Sequence, residues 1–173
     1  ELWRHSVAAS LAADVLRSRS PRAVPMEAST AALLHDFGKL VMAKHFGAPL
    51  LDRVAAAAAN EGMTRLEAEK SVFGFTHAEV GGVVSERWNL PLAVVDGIRD
   101  HHRCDDDMSV VSRVVALSDV IADDMFVDEL DPLLWDLRDA HMHGLRIDAD
   151  TYPNVLATAT EQYAQLAARY GVN

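Results

Sequence analysis

Seven side chains in this sequence can do chemistry as a group: His5, His35, Asp36, His77, His101, His102 and Asp119. Neutral imidazole and carboxylate are good donors for divalent Fe, Mn, Ni or Zn, and no thiolate is needed. Two of the carboxylates stand in apolar helical surroundings. Ala32, Leu33 and Leu40 flank Asp36 at helical spacing, and Val115, Ala116 and Ala122 flank Asp119. His5 has Leu2, Ala8 and Ala9 around it in the same sense. A charge on an apolar face must find partners, because burying it alone is expensive. A metal ion is one solution that satisfies several such groups at once. The doublets His35-Asp36 and His101-His102 can both serve it only if they straddle the edge of a cleft, since neighbours on a helix point about 100° apart.

Each of these residues also has an ordinary role open to it. His5 can be a surface or hydrogen-bonded core histidine, His77 an unremarkable second residue of its helix, and His101-His102 a complement to a helix dipole. Asp36 can pair with Lys39 or an arginine, and Lys39 can be an exposed helix lysine. Gly38 can serve close approach of a ligand or tight helix packing. The ordered combination, spread over several helices, is much harder to obtain by chance than any member. His45, His141 and His143 belong to no such set and read as structural or exposed.

Helical periodicity dominates, and no segment alternates convincingly as a strand. The pattern predicts a helix over residues 2–19 with Ala8, Leu11, Ala12 and Val15 on one face, ended by Ser20-Pro21. Further helices are predicted over 26–45, stopped at Gly47, and over 49–60. Two capping boxes follow, Thr64 to Glu67 and Thr76 to Glu79, opening helices that run to Gly74 and to about Asn89. Pro91 opens one to about His102, Ser109 one to about Met125, and Pro132 one to about Met142; a last helix follows Asp150-Thr151 and ends near Gly171. The expected architecture is therefore all-α, with about eight to nine helices in a single domain over residues 1–173.

Composition narrows the function. A net charge of −10 disfavours a general nucleic-acid surface, which needs basic patches. The acidic runs at residues 105–107 and 123–124 read as solvated loop and helix-end residues. A single cysteine, Cys104, excludes an internal disulfide framework and a Cys-rich zinc site. No apolar run is long enough to cross a bilayer and no signal peptide is visible, so the expectation is a cytoplasmic protein with no membrane association. The chain starts at Glu1 without an initiator methionine, which leads us to expect an excerpt of a longer protein.

The same ordered residues resemble the metal-binding constellation of the HD metal-dependent phosphohydrolases, and their surroundings resemble one branch, the HDOD (HD-related output) domains. The stretches that carry the resemblance are residues 2–6, 33–40, 77–81, 88–91, 98–102 and 116–122, so it runs from residue 2 to about 125. The resemblance implies an HD-type helical bundle, normally preceded by a helical lobe, which we expect to be missing or removed here. It implies that His5, His35, Asp36 and Asp119 hold one ion, that Asp36, His77, His101 and His102 hold a second, and that Asp36 bridges them. Lys39 would hold a phosphate oxygen. Glu1, four residues before His5, stands where a related branch has a further ligand.

Members of the family act in bacterial signalling, often joined to receiver or GGDEF-type modules, and many have lost ligands. This sequence keeps every position. Arg103-Cys104-Asp105 follows the histidine doublet in place of the Gly-Tyr-Pro of the cyclic-di-GMP phosphodiesterases. The resemblance therefore favours a signal-transduction output domain with an intact HD-type site and protein partners. The alternative is an active phosphohydrolase on a nucleotide or cyclic dinucleotide, with Asp36 and Lys39 catalytic and Arg99 and Arg103 available to a phosphate-containing ligand. A third reading is a structural helical interaction domain.

Overall fold

Alanine sets the helix spacing at the centre of the protein, which we describe over residues 2–127 and 132–171 of a computed structural model. Helix α1, Leu2–Arg19, turns Ala8, Ala9, Ala12 and Ala13 inward, and helix α2, Glu27–Leu34, answers with Ala28, Ala31 and Ala32. Side chains this small let helix axes come to the close end of the usual packing range of about 8–10 Å. The apolar stripe predicted for α1 is found, with one change: Leu16 is buried, whereas Leu11 is only half-buried.

The remaining helices are α3 (Phe37–Glu61), α4 (Arg65–Phe73), α5 (His77–Arg87), α6 (Leu92–Asp100), α7 (Val110–Asp124), α8 (Pro132–Leu145) and α9 (Tyr152–Tyr170). A short 3-10 turn, Ala149–Thr151, leads into α9. Among the described residues there are nine α-helices and no strand, so the chain is all-α as its periodicity predicts. Helix α7 is the axis of the bundle. Its Val111, Val114, Val115, Leu117 and Ile121 are buried, and α1, α2, α6 and α8 pack around it. One apolar cluster runs through α1, α2, α6, α7, α8 and α9.

Both predicted capping boxes form, with the hydroxyls of Thr64 and Thr76 accepting from the backbone N–H of Glu67 and Glu79. Helix α4 is laid against α3 by an aromatic cluster, with Phe46 4.8 Å from Phe73 and 5.9 Å from Phe75 between ring centroids. The break at Gly47 is also found, at φ 70° and ψ 174°, conformations open to glycine without strain.

Two expectations are corrected. The helix predicted over 26–45 is interrupted at His35-Asp36, where Asp36 leaves helical geometry at φ −96° and ψ 0°. Leu40 therefore shares no buried face with Asp36 and is 60% exposed. Helix α6 ends at Asp100, so His101 and His102 occupy the turn beyond it. Propensity cannot register either change, because none of these four residues is a helix breaker. Glu1 lies outside the described residues.

A single contact fixes how α3 meets α5. A Cβ built on Gly38 would overlap the carbonyl of His77 and sit 3.0 Å from the backbone nitrogen of Gly81. Backbone meets backbone there, so nothing flexible can give way. Gly38→Ala is expected to cost about 1–3 kcal/mol or more by overpacking and to lower the urea midpoint accordingly. An unchanged midpoint would mean that α3 and α5 can part freely.

Candidate metal centre

The two helix interruptions and three further elements bring all seven sequence-predicted donors together. His5 comes from α1, His35 and Asp36 from the α2–α3 turn, His77 from the first residue of α5, His101 and His102 from the turn after α6, and Asp119 from α7. Three donor sets form within 4.8 Å: His5, His35 and Asp36; His35, His101 and Asp119; His77, His101 and His102. Both doublets lie in turns, and their paired side chains face one site.

Asp36 stands between the two histidine groups. Its Oδ1 is 3.2 Å from Nε2 of His77, and its Oδ2 is 3.6 Å from Nε2 of His35 and 4.0 Å from Nε2 of His5. Asp119 Oδ1 lies 2.8 Å from Nε2 of His5 and 3.1 Å from Nε2 of His35. His77 and His102 meet Nε2 to Nε2 at 3.0 Å. Donor atoms about 2.1 Å from a shared ion lie about 3.0–3.4 Å from one another, and the contacts of Asp119 with His35, Asp36 with His77 and His77 with His102 fall in that range.

The far side of each ring explains why the ε-nitrogens face inward. The Nδ1–H of His35 donates to the carbonyl of Ala32 at 2.7 Å, and that of His101 to the carbonyl of Ile98 at 2.7 Å. The Nδ1–H of His77 donates to Glu69 Oε2 at 2.7 Å. These acceptors fix the tautomer and leave a lone pair on each Nε2. Two inward atoms, Asp36 Oδ1 and His101 Nε2, are buried with no hydrogen bond. Acceptors that converge on one another are stable only around protons or a cation, so the donor set fits a divalent ion.

Without an ion, protons compensate unevenly. Burial pulls His35 down, but the carboxylates of Asp119 and Asp36 outweigh it and raise it to about 9. Burial, opposed chiefly by Asp119, pushes His102 down to about 4, and burial beside His102 and His35 holds His101 well below its usual range. Burial would raise Asp36 and Asp119, yet His35 and the other imidazoles hold both well below the carboxylate range.

Lys39 donates to Asp36 Oδ2 at 2.6 Å, the pairing open to Asp36 from the sequence. Gly38 serves helix packing. His45 and His143 are exposed, and His141 is buried against α7, where burial and Arg113 push it to about 4. Beside His102 an open cleft of about 530 Å³ is lined by residues that include Lys70, Arg99 and Arg103. Each of these cations is already paired: Lys70 with Glu79 at 2.9 Å, Arg99 with Glu86 at 3.1 Å and Arg103 with Asp105 at 2.7 Å.

Two participants went unpredicted. Glu69 is 2% exposed and holds His77, and Leu66, Val72 and Phe73 flank it at helical spacing, the same signal that marks Asp119. Asp123 belongs to a run read as solvated, but its Oδ1 is 3.4 Å from Nδ1 of His5, while its neighbour Asp124 accepts from the Tyr152 hydroxyl at 2.9 Å. Burial next to Asp119 raises Asp123 to about 6.

Comparison with known proteins bears on the family and the fold. The family model described as the HDOD domain matches residues 1–104, a span holding every donor except Asp119. A candidate phosphohydrolase from Shewanella amazonensis SB2B superposes on 95% of the chain at 24% identity and a TM-score of 0.72, with 63% of its own length covered. The MmoQ response regulator of Methylococcus capsulatus str. Bath superposes on 90% at 22% identity and a TM-score of 0.66, with 60% of its length covered. Identities this low speak for the fold alone. An uncharacterized protein of Treponema pallidum (strain Nichols) is 24% identical over 112 residues, which are 59% of this chain and 20% of that protein. The chain thus spans a fifth of this curated relative and less than two thirds of the two structures.

The histidine shifts give the metal-free protein a two-sided pH profile. His102 and His141, depressed to about 4 from 6.5, contribute stability that is present above pH 6.5 and lost as pH falls through 4. His35, raised to about 9 from 6.5, contributes stability that is full below pH 6.5 and lost as pH rises through 9. Melting temperatures of chelator-treated protein should therefore fall in both directions from near pH 6.5. A flat profile from pH 6.5 to 4 would contradict the buried, neutral assignment of His102 and His141.

Proposed function

The chain belongs to the HDOD domain family, and from that premise we propose that it is a bacterial signal-transduction output domain that keeps an HD-type site for one or two divalent ions of Fe, Mn, Ni or Zn. The observation that carries the proposal is the convergence of seven donors with two buried orphan atoms, Asp36 Oδ1 and His101 Nε2, aimed into the same space. His5, His35, Asp36 and Asp119 would hold one ion and Asp36, His77, His101 and His102 the other, with Asp36 shared. The shared apolar core of α1, α2, α6, α7, α8 and α9, with α3 and α5 packed through Gly38, supports treating residues 1–173 as one domain. Among the described residues no helix is long and apolar enough to cross a membrane, and work in the cytoplasm with protein partners in signalling is part of the same proposal.

The cleft beside His102 favours a second reading, a phosphohydrolase acting on a nucleotide or another phosphate-containing ligand. Bound divalent ions would supply Lewis-acid polarisation of a phosphoryl group. The chain's own part would be to seat the phosphate between the donor cluster and Lys39, whose ammonium would trade Asp36 for a phosphate oxygen. The chain's net charge of −10 does not suit nucleic acid as the ligand.

Elemental analysis tests the first reading. Purified protein should carry about one to two ions per chain, as a mononuclear or paired site would, and His35→Ala should lose metal while keeping its helical circular dichroism. Full metal content in that variant, or none in the native protein after reconstitution, would sink the assignment. Turnover of nucleoside phosphates by metal-loaded protein separates the two readings: release of phosphate or nucleoside favours the phosphohydrolase, and its absence favours a binding output domain.

A further inference from the structure

His77 is anchored unlike His35 and His101, the other two imidazoles held by a hydrogen bond at Nδ1. His35 and His101 give their Nδ1–H to neutral backbone carbonyls within their own turn. His77 gives its proton to a carboxylate on a different helix, Glu69 of α4. The same oxygen, Oε2, also accepts from the backbone N–H of His77 at 2.8 Å. The other oxygen, Oε1, accepts from Nε of Arg65 at 3.1 Å. Glu69 is 2% exposed, so this carboxylate is buried and nearly every bond it makes is committed.

Three consequences follow from the chemistry. A carboxylate only accepts, so His77 must carry its ring proton on Nδ1 and present a lone pair at Nε2. The two-point grip on Oε2 fixes ring and backbone together, so the lone pair is aimed as well as freed. A buried anion behind the ring also makes Nε2 a stronger donor than an imidazole backed by a carbonyl. None of these effects reaches His5, His35 or Asp119, which Glu69 does not contact.

We infer that Glu69 is a positioning residue that selectively strengthens the ion subsite formed by His77, His101 and His102, and that it links α4 to occupancy of that subsite. This rests on the metal-site reading above. Lys70 tests whether α4 acts only as a prop: it ties α4 to α5 through Glu79 at 2.9 Å and contacts no donor.

The experiment is competition for zinc between a chromophoric chelator and the purified chain. The proteins compared are the native chain, Glu69→Gln, Glu69→Ala, Lys70→Ala, His77→Ala and His5→Ala. The isosteric Glu69→Gln guards against misfolding in Glu69→Ala, and circular dichroism checks the helices of each. The ion that His77→Ala removes should bind about 10–100-fold more weakly in Glu69→Ala, with Glu69→Gln between it and the native chain. The ion that His5→Ala removes should keep its affinity in both Glu69 variants, and Lys70→Ala should change neither. A long-range nitrogen–proton spectrum of the metal-free native chain should show His77 protonated at Nδ1, a signature a mere packing role would not demand. Unchanged affinity in both Glu69 variants, equal weakening of every ion, or the same loss in Lys70→Ala would each overturn the inference. Failure of the native chain to bind zinc, iron or manganese at all would instead overturn the metal-site reading and take the inference with it.

Discussion

Asp36 is a carboxylate taken almost wholly out of water, and the rest of the site follows from what it needs to keep its charge. Its side chain is 2% exposed. An isolated ion in that position would cost many kcal/mol, so it must be surrounded by cationic or proton-bearing groups. The protein meets this need with Lys39 on one oxygen and imidazoles on both sides. These partners satisfy it only in part, since Oδ1 has no hydrogen bond. A buried anion left partly unanswered is uncommon in native proteins and tends to mark function.

That requirement reaches outward into the helices. Asp36 can lie 3.2 Å from His77 only if the start of α3 rests against the start of α5, and a side chain at position 38 would hold them apart. The inward ring nitrogens depend in turn on α2 and α6 ending where they do, because the carbonyls of Ala32 and Ile98 that orient His35 and His101 belong to those last turns. The alanine-lined contact of α1 with α2 sets the distance at which His5 meets His35. Packing, helix length and donor geometry are thus one problem solved together, and loosening any of them would unbalance the same carboxylate.

Much of this was legible in the residues. Periodicity and turn residues gave the helical class, the capping boxes at Thr64 and Thr76, and the break at Gly47, because those signals are local. The ordered histidines and aspartates could be singled out because charges on apolar stripes are rare enough to notice. The interruptions at His35-Asp36 and after Asp100 were hidden, since a helix that stops for the sake of its tertiary partners leaves no glycine or proline behind. Glu69 carried the same apolar-face signal as Asp119 and was overlooked beside a capping box that accounted for its neighbour Glu67. Asp123 could not have been found, because an acidic pair at a helix end is ordinarily solvated and only the approach of α1 gives it His5 to face.

The pairing of His5 with Asp119 joins residues 114 positions apart. A chain leaving the ribosome displays its first six donors, ending at His102, before the seventh, Asp119, is made. Until α7 emerges and docks, α1 and α2 lack the helix on which they pack, and the imidazoles are loose and without the fixed geometry of the folded cluster. The donor geometry is therefore acquired late, at the moment the core closes. The packed core and the donor geometry are thus completed by one event, the docking of a helix made after six of the seven donors.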